Sequence, residues 1–110
     1  MSIAANISVL PGGVNVAQWA DLGGAETGQS AMMAGYPDRT VQVAGTLGGA
    51  TVVLEGSNDG TNYFPLTKPG NTAISFTAAG GCAIIENPAF IRPKASGGTA
   101  AHILVTISGR

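Results

Sequence analysis

Charge is scarce in this sequence. Only 10% of its 110 residues are Asp, Glu, Lys or Arg, against roughly 25% in an average soluble domain. The formal net charge is −1, so charge repulsion does little to keep copies apart. The basic residues Arg39, Lys68, Arg92, Lys94 and Arg110 are scattered and form no stripe, so no nucleic-acid partner is expected. No apolar run approaches the roughly 18 residues a membrane-spanning helix needs, so no membrane partner is expected either. Residues 1–10 lack a basic start and a long apolar stretch, and do not read as a signal peptide.

Chemistry-bearing residues are equally sparse. The single cysteine, Cys82, excludes an internal disulfide framework. It opens the apolar run Cys82-Ala83-Ile84-Ile85 and reads as a buried structural thiol in a chain made in a reducing cytosol. The single histidine, His102, has no metal-ligand or triad partner at a recognisable spacing. The six carboxylates, Asp21, Glu26, Asp38, Glu55, Asp59 and Glu86, suggest no cleft-lining pair. Asn58-Asp59-Gly60-Thr61-Asn62 offers one carboxylate where a calcium loop needs several, so it reads as a turn. The glycine pairs precede no helix pattern and do not form a phosphate loop. The expectation is a protein that is not an enzyme and carries no cofactor and no metal.

What the sequence does have is glycine, 17 residues of it, and short apolar runs within a 45% apolar composition. Thr40-Val41-Gln42-Val43 alternates, with Val41, Val43 and Leu47 on one face. Gly48-Gly49 turns the chain into Thr51–Gly56, with Val52 and Leu54 inward. Ser57-Asn58-Asp59-Gly60 then reads as a tight hairpin turn leading into Asn62–Leu66. Further strands are expected at residues 73–77, 82–86, 90–95 and 101–108, the last with Ile103, Val105 and Ile107 inward. Pro93 points to an edge or a bulge. About eight strands with a turn every 8–12 residues predict an all-β fold: a single antiparallel β-sandwich or jelly-roll-like domain.

Two domain-level segments follow. Residues 1–13 end in Pro11-Gly12-Gly13 and read as an extended N-terminal arm or edge segment. Residues 14–110 form the sandwich. Val14-Asn15-Val16-Ala17-Gln18-Trp19 alternates so that Trp19 opposes Val14 and Val16. Either a bulge turns Trp19 into the core or it lies at an interface. Residues 20–37 are weakly patterned and read as a contact loop, with Met32 and Met33 suited to an adaptable contact. The candidate interface residues are Ile3, Ile7, Val9 and Leu10 in the arm, then Trp19, Met32, Met33 and Tyr36.

The hairpin from Val53 to Leu66, with Tyr63-Phe64 after its turn, resembles one common in small tailed-bacteriophage virion proteins. It is also similar to a hairpin of discoidin-type β-sandwiches. Phe90-Ile91-Arg92-Pro93-Lys94-Ala95-Ser96-Gly97-Gly98-Thr99 looks like the second half of the same pattern. The resemblance spans residues 40–110 and leaves 1–39 unmatched. Among virion proteins it is nearest to the capsid decoration, or cement, proteins. It implies an all-β homotrimer, made in the host cytoplasm, that binds the major capsid protein on the outer surface of the virion. A tail or neck component is the alternative. The discoidin side implies a carbohydrate-binding module, for which Trp19, Tyr36 and Tyr63 would supply the stacking rings.

Overall fold

The computed structural model describes residues 2–110. Their β-segments are β1 (Ser2–Ile3), β2 (Asn6–Leu10), β3 (Val14–Leu22), β4 (Thr27–Gly28), β5 (Ala31–Met32), β6 (Arg39–Thr46), β7 (Thr51–Ser57), β8 (Phe64–Pro65), β9 (Thr67–Lys68), β10 (Thr72–Ala73), β11 (Ser75–Phe76), β12 (Gly80–Ile84), β13 (Phe90–Ser96) and β14 (His102–Gly109). The protein is all-β. One sheet has five strands in the order β12-β6-β14-β3-β2. A second has seven, in the order β1-β4-β13-β7-β11, with β5 also on β13 and β8 also on β7, and β9 and β10 pair as a separate two-stranded sheet. Pairing is antiparallel except between β1 and β4.

Alternation explains which side chains meet between the sheets. Val41, Val43, Ile103, Val105 and Ile107 from the five-stranded sheet face Val52, Leu54, Ile91 and Ala95 from the other, all buried. In β3 the inward residues are Asn15, Ala17 and Trp19, while Val14, Val16 and Gln18 take the outer side. The β3–β14 register slips between Ile103 and Val105, which pair with Leu22 and Trp19. Asp21 there has a φ of 58°. This bulge follows Trp19 and brings Leu22 inward as well. Trp19 is thus a fully buried core residue, not an interface residue. Its indole N–H donates to the Gln29 carbonyl at 2.8 Å. A Cβ on Gly28 would lie 2.6 Å from the indole ring, so only glycine fits beneath it.

Residues 2–10 lie along this chain itself. β1 joins the seven-stranded sheet, and β2 folds back through Pro11-Gly12-Gly13 to pair with β3 as the edge of the five-stranded sheet. The chain therefore crosses between sheets at Ala4-Ala5, and Ile3 packs against the core. Met1 lies outside the described residues.

The Asp-Gly hairpin differs from expectation. Gly60 has positive φ but Asp59 does not, so this is not a two-residue turn. A loop from Asn58 to Tyr63 separates β7 from β8. Asp59 organises it: its carboxylate accepts from the N–H groups of Thr61 and Asn62, each at 2.8 Å, and from the Ser57 hydroxyl. A side-chain acceptor replaces the backbone turn that Asp-Gly was expected to make. At the opposite end of the sandwich, Gly24 and Gly98 touch backbone to backbone, with a Gly24 Cβ placed 2.6 Å from Gly98. Two glycine pairs distant in sequence thereby lock two loops together.

Candidate functional site

The eight expected contact residues separate into three groups. Trp19 and Met33 are fully buried in the chain's own core. Met33 accepts from the Asn15 side-chain amide at its sulfur and from Arg39 at its carbonyl. Its packing and its carbonyl are both used internally, which removes it from the contact set along with Trp19. Ile3 and Tyr36 are half-buried against this chain. Ile7, Val9, Leu10 and Met32 remain exposed, at 47%, 65%, 49% and 62%.

Met33 and Tyr36 owe their positions to Arg39, a residue that sequence reasoning did not single out. Arg39 is 1% exposed, and among the described residues it forms no salt bridge. Its guanidinium donates to the carbonyls of Tyr36 at 2.7 Å, Pro88 at 2.8 Å and Met33 at 2.5 Å. Burial pushes its pKa below the usual arginine value. The group ties residues 33–36 to the loop before β13. Nothing in a lone Arg at the start of an alternating strand distinguishes such a strut from a surface charge.

The outer faces of the two sheets are unlike. On the seven-stranded sheet, Arg92 pairs with Glu55 at 2.9 Å and lies 3.6 Å over the Tyr63 ring. The Tyr63 hydroxyl hydrogen-bonds Ser30, and exposed Lys94 lies opposite Thr27 and Val53. This face is charged, and its Arg92, Glu55, Tyr63 and Ser30 are paired with one another. On the five-stranded sheet the outward rows run Asn6–Gln18–Thr106–Gln42 and Ser8–Val16–Ser108–Thr40. Gln18 donates to Thr106 at 3.2 Å, and Thr40 and Ser108 share a hydrogen bond at 3.0 Å. No Asp, Glu, Lys or Arg stands in either row. A groove of about 400 Å³ runs along them, and a second of about 700 Å³ runs along β6 and β12. At the end of this face, exposed His102 and Asp21 contact one another through the imidazole Nδ1 and a carboxylate oxygen.

The titratable groups do structural work. Asp59 is held well below the usual carboxylate range, first by the Asn62 N–H and side chain, then by the Thr61 N–H and the Ser57 hydroxyl. At Glu86, desolvation works to raise the pKa, and hydrogen bonds from the Thr67 hydroxyl and N–H outweigh it, so the net shift is downward. Burial raises the Cys82 thiol, with Lys68 opposing; this half-buried thiol is not activated for attack. Among the described residues no group of three or more His, Cys, Asp or Glu could hold a metal.

Solved proteins share this architecture. The SPBc2 prophage-derived protein YomS matches 94% of this chain over 100% of its own length, with a TM-score of 0.66 and 9% identity. A protein from Klebsiella pneumoniae with a double-stranded β-helix domain matches 98% of this chain and 72% of its own, at a TM-score of 0.50 and 12% identity. The K2 cleaved adhesin domain of Lys-gingipain covers 98% of this chain and 83% of its own, at a TM-score of 0.50 and 10% identity. At such identities the likeness is one of fold. No protein-family model matches the sequence, and no curated protein matches it.

The three rings offered for sugar stacking are engaged within the chain to different degrees. Trp19 is buried, Tyr36 is half-buried with its Cβ against Gly109, and Arg92 covers one face of Tyr63.

Proposed function

We propose that this chain is a structural protein of a phage particle: a decoration protein that binds the outside of the assembled capsid and bridges neighbouring capsid subunits. The observation that carries this reading is the end-to-end match to a prophage-derived chain, 100% of which is covered. The charge-free outer face and the open β2 edge support it, since both are surfaces suited to cover by protein. Its partners are the major capsid protein and other copies of this chain. Its action is mechanical, without catalysis: contacts spread across subunit boundaries resist the pressure of packaged DNA. The protein is made in the host cytoplasm and ends on the capsid surface.

A tail or neck role is the second reading, and the same match supports it. Copy number separates the two. Quantitative mass spectrometry of purified particles is expected to find this chain at a level comparable to the major capsid protein. A few copies per particle would move it to the tail or neck, and absence from the particle would overturn the proposal.

A further inference from the structure

The strands that end the main order of each sheet differ in how they are protected. A free strand edge offers unpaired N–H and C=O groups to any other strand, and most proteins blunt it with shortness, charge, proline or cover. β1 and β11 are two residues long. β12 carries Gly80-Gly81, and its end meets β9, where the Ile85 N–H donates to the Thr67 carbonyl at 2.9 Å. Lys68 of β9 is close enough to act on Cys82 of β12.

β2 has none of these devices. It is five residues long, its sequence is Asn-Ile-Ser-Val-Leu, and every residue is exposed. No charged residue occurs between Ser2 and Ala20. Among the described residues only β3 pairs with it, along one edge. Ile7 and Val9 lie opposite Ala17 and Asn15, on the inward side of the sheet, yet remain 47% and 65% exposed. They overhang the core without a cover.

We propose that the free edge of β2 pairs with the β2 of a second copy, antiparallel about a two-fold axis through Ser8. In that register Ser8 faces Ser8, Ile7 faces Val9 and Asn6 faces Leu10. Opposed residues of an antiparallel pair share a face. The Ile7 and Val9 side chains of both copies therefore form one apolar cluster on the inward side. The pair adds about four to six main-chain hydrogen bonds.

A second copy fits better than a foreign strand for two reasons. With no charge on either strand, like meets like without repulsion, whereas a charged partner strand would be desolvated without compensation. The central residues are also their own complement in this register, Ile7 meeting Val9 and Ser8 meeting Ser8, with only the end pair Asn6–Leu10 unlike. A strand about 17 Å long, presenting both faces, buries roughly 800 Å² in total. That is the weak end of specific interfaces, so the dimer is expected to form on the order of 0.1 mM rather than nanomolar. The symmetry is two-fold, in place of the three-fold association implied by the resemblance. The inference stands on the edge itself and does not depend on a capsid.

The test is cross-linking of the full chain in a Cys82→Ala background. Ser8→Cys is expected to give a covalent dimer on mild oxidation at ~0.5 mM, at least tenfold faster than Gln42→Cys, an exposed position on the same sheet face. Opposed Cβ atoms about 4.5–5.5 Å apart are within small adjustment of disulfide geometry. Adding Val9→Lys is expected to abolish that dimer while the emission of buried Trp19 stays unchanged, which shows the fold intact. Three results would overturn the proposal: no dimer from Ser8→Cys, equal or faster cross-linking from Gln42→Cys, or a dimer that forms only when Cys82 is restored. The last would place β2 against a neighbour's β12.

Discussion

The outer face of the seven-stranded sheet is finished, and that of the five-stranded sheet is not. On the first, Arg92 bridges Glu55 and caps Tyr63, and Tyr63 reaches Ser30, while Lys94 stands exposed beside them. On the second, rows of Thr, Ser, Gln and Asn carry no formal charge and end at an unprotected strand. Side chains on the first face serve the stability of this chain. Those on the second contribute little to it, which leaves them free to serve contacts with other proteins.

The largest expected effect lies at the end that joins the two sheets. Arg39→Ala leaves three buried carbonyls without their donor and is expected to cost about 3–5 kcal/mol, read by denaturant unfolding. A loss below ~1 kcal/mol would mean that water replaces the guanidinium. Arg92→Ala, on the finished face, is expected to cost about 1 kcal/mol, because it removes a partly exposed ion pair and a cation–π contact. Ala100 adopts a φ of 52°, which a residue with a Cβ tolerates poorly. Ala100→Gly is therefore expected to stabilise by about 1 kcal/mol, and a lower Tm would contradict that.

Acid tests the same comparison. The folded pKa values of Asp59 and Glu86 lie below their ordinary values. The stability they contribute is therefore full above the usual carboxylate range and is lost as pH falls through the depressed values. Below about pH 4, hydrogen exchange is expected to rise first at residues 57–62 and around Thr67, with Asp59→Asn removing the first rise. The five-stranded sheet has no such group in its outward rows and is expected to hold. The smallest effect belongs to the unfinished face: Thr106→Ala is expected to change stability by less than ~0.5 kcal/mol.

The sequence was legible where strands have one wet and one dry side. Val41/Val43, Val52/Leu54 and Ile103/Val105/Ile107 declare their inward faces by alternation, and all are buried. It was less legible where that contrast fails. β2 alternates, but both of its sides are exposed, so nothing marks it as part of the sheet. β4 and β5 are two residues each, too short to show a period. Asp59-Gly60 signals a tight turn, but the carboxylate's reach to Thr61 and Asn62 decided the loop. Of the candidate contacts, Ile7, Val9, Leu10 and Met32 could be picked out as apolar residues that end exposed. Trp19 and Met33 could not be placed, because burial depends on partners far along the chain.

The most direct test is hydrogen exchange with side-chain footprinting, comparing the free chain with the chain bound to particles. Protection is expected at β2 and at Gln18, Gln42 and Thr106, with Arg92, Lys94 and Tyr63 unchanged. Protection confined to the charged face of the seven-stranded sheet would contradict the assignment of the uncharged face and edge as the contact surface.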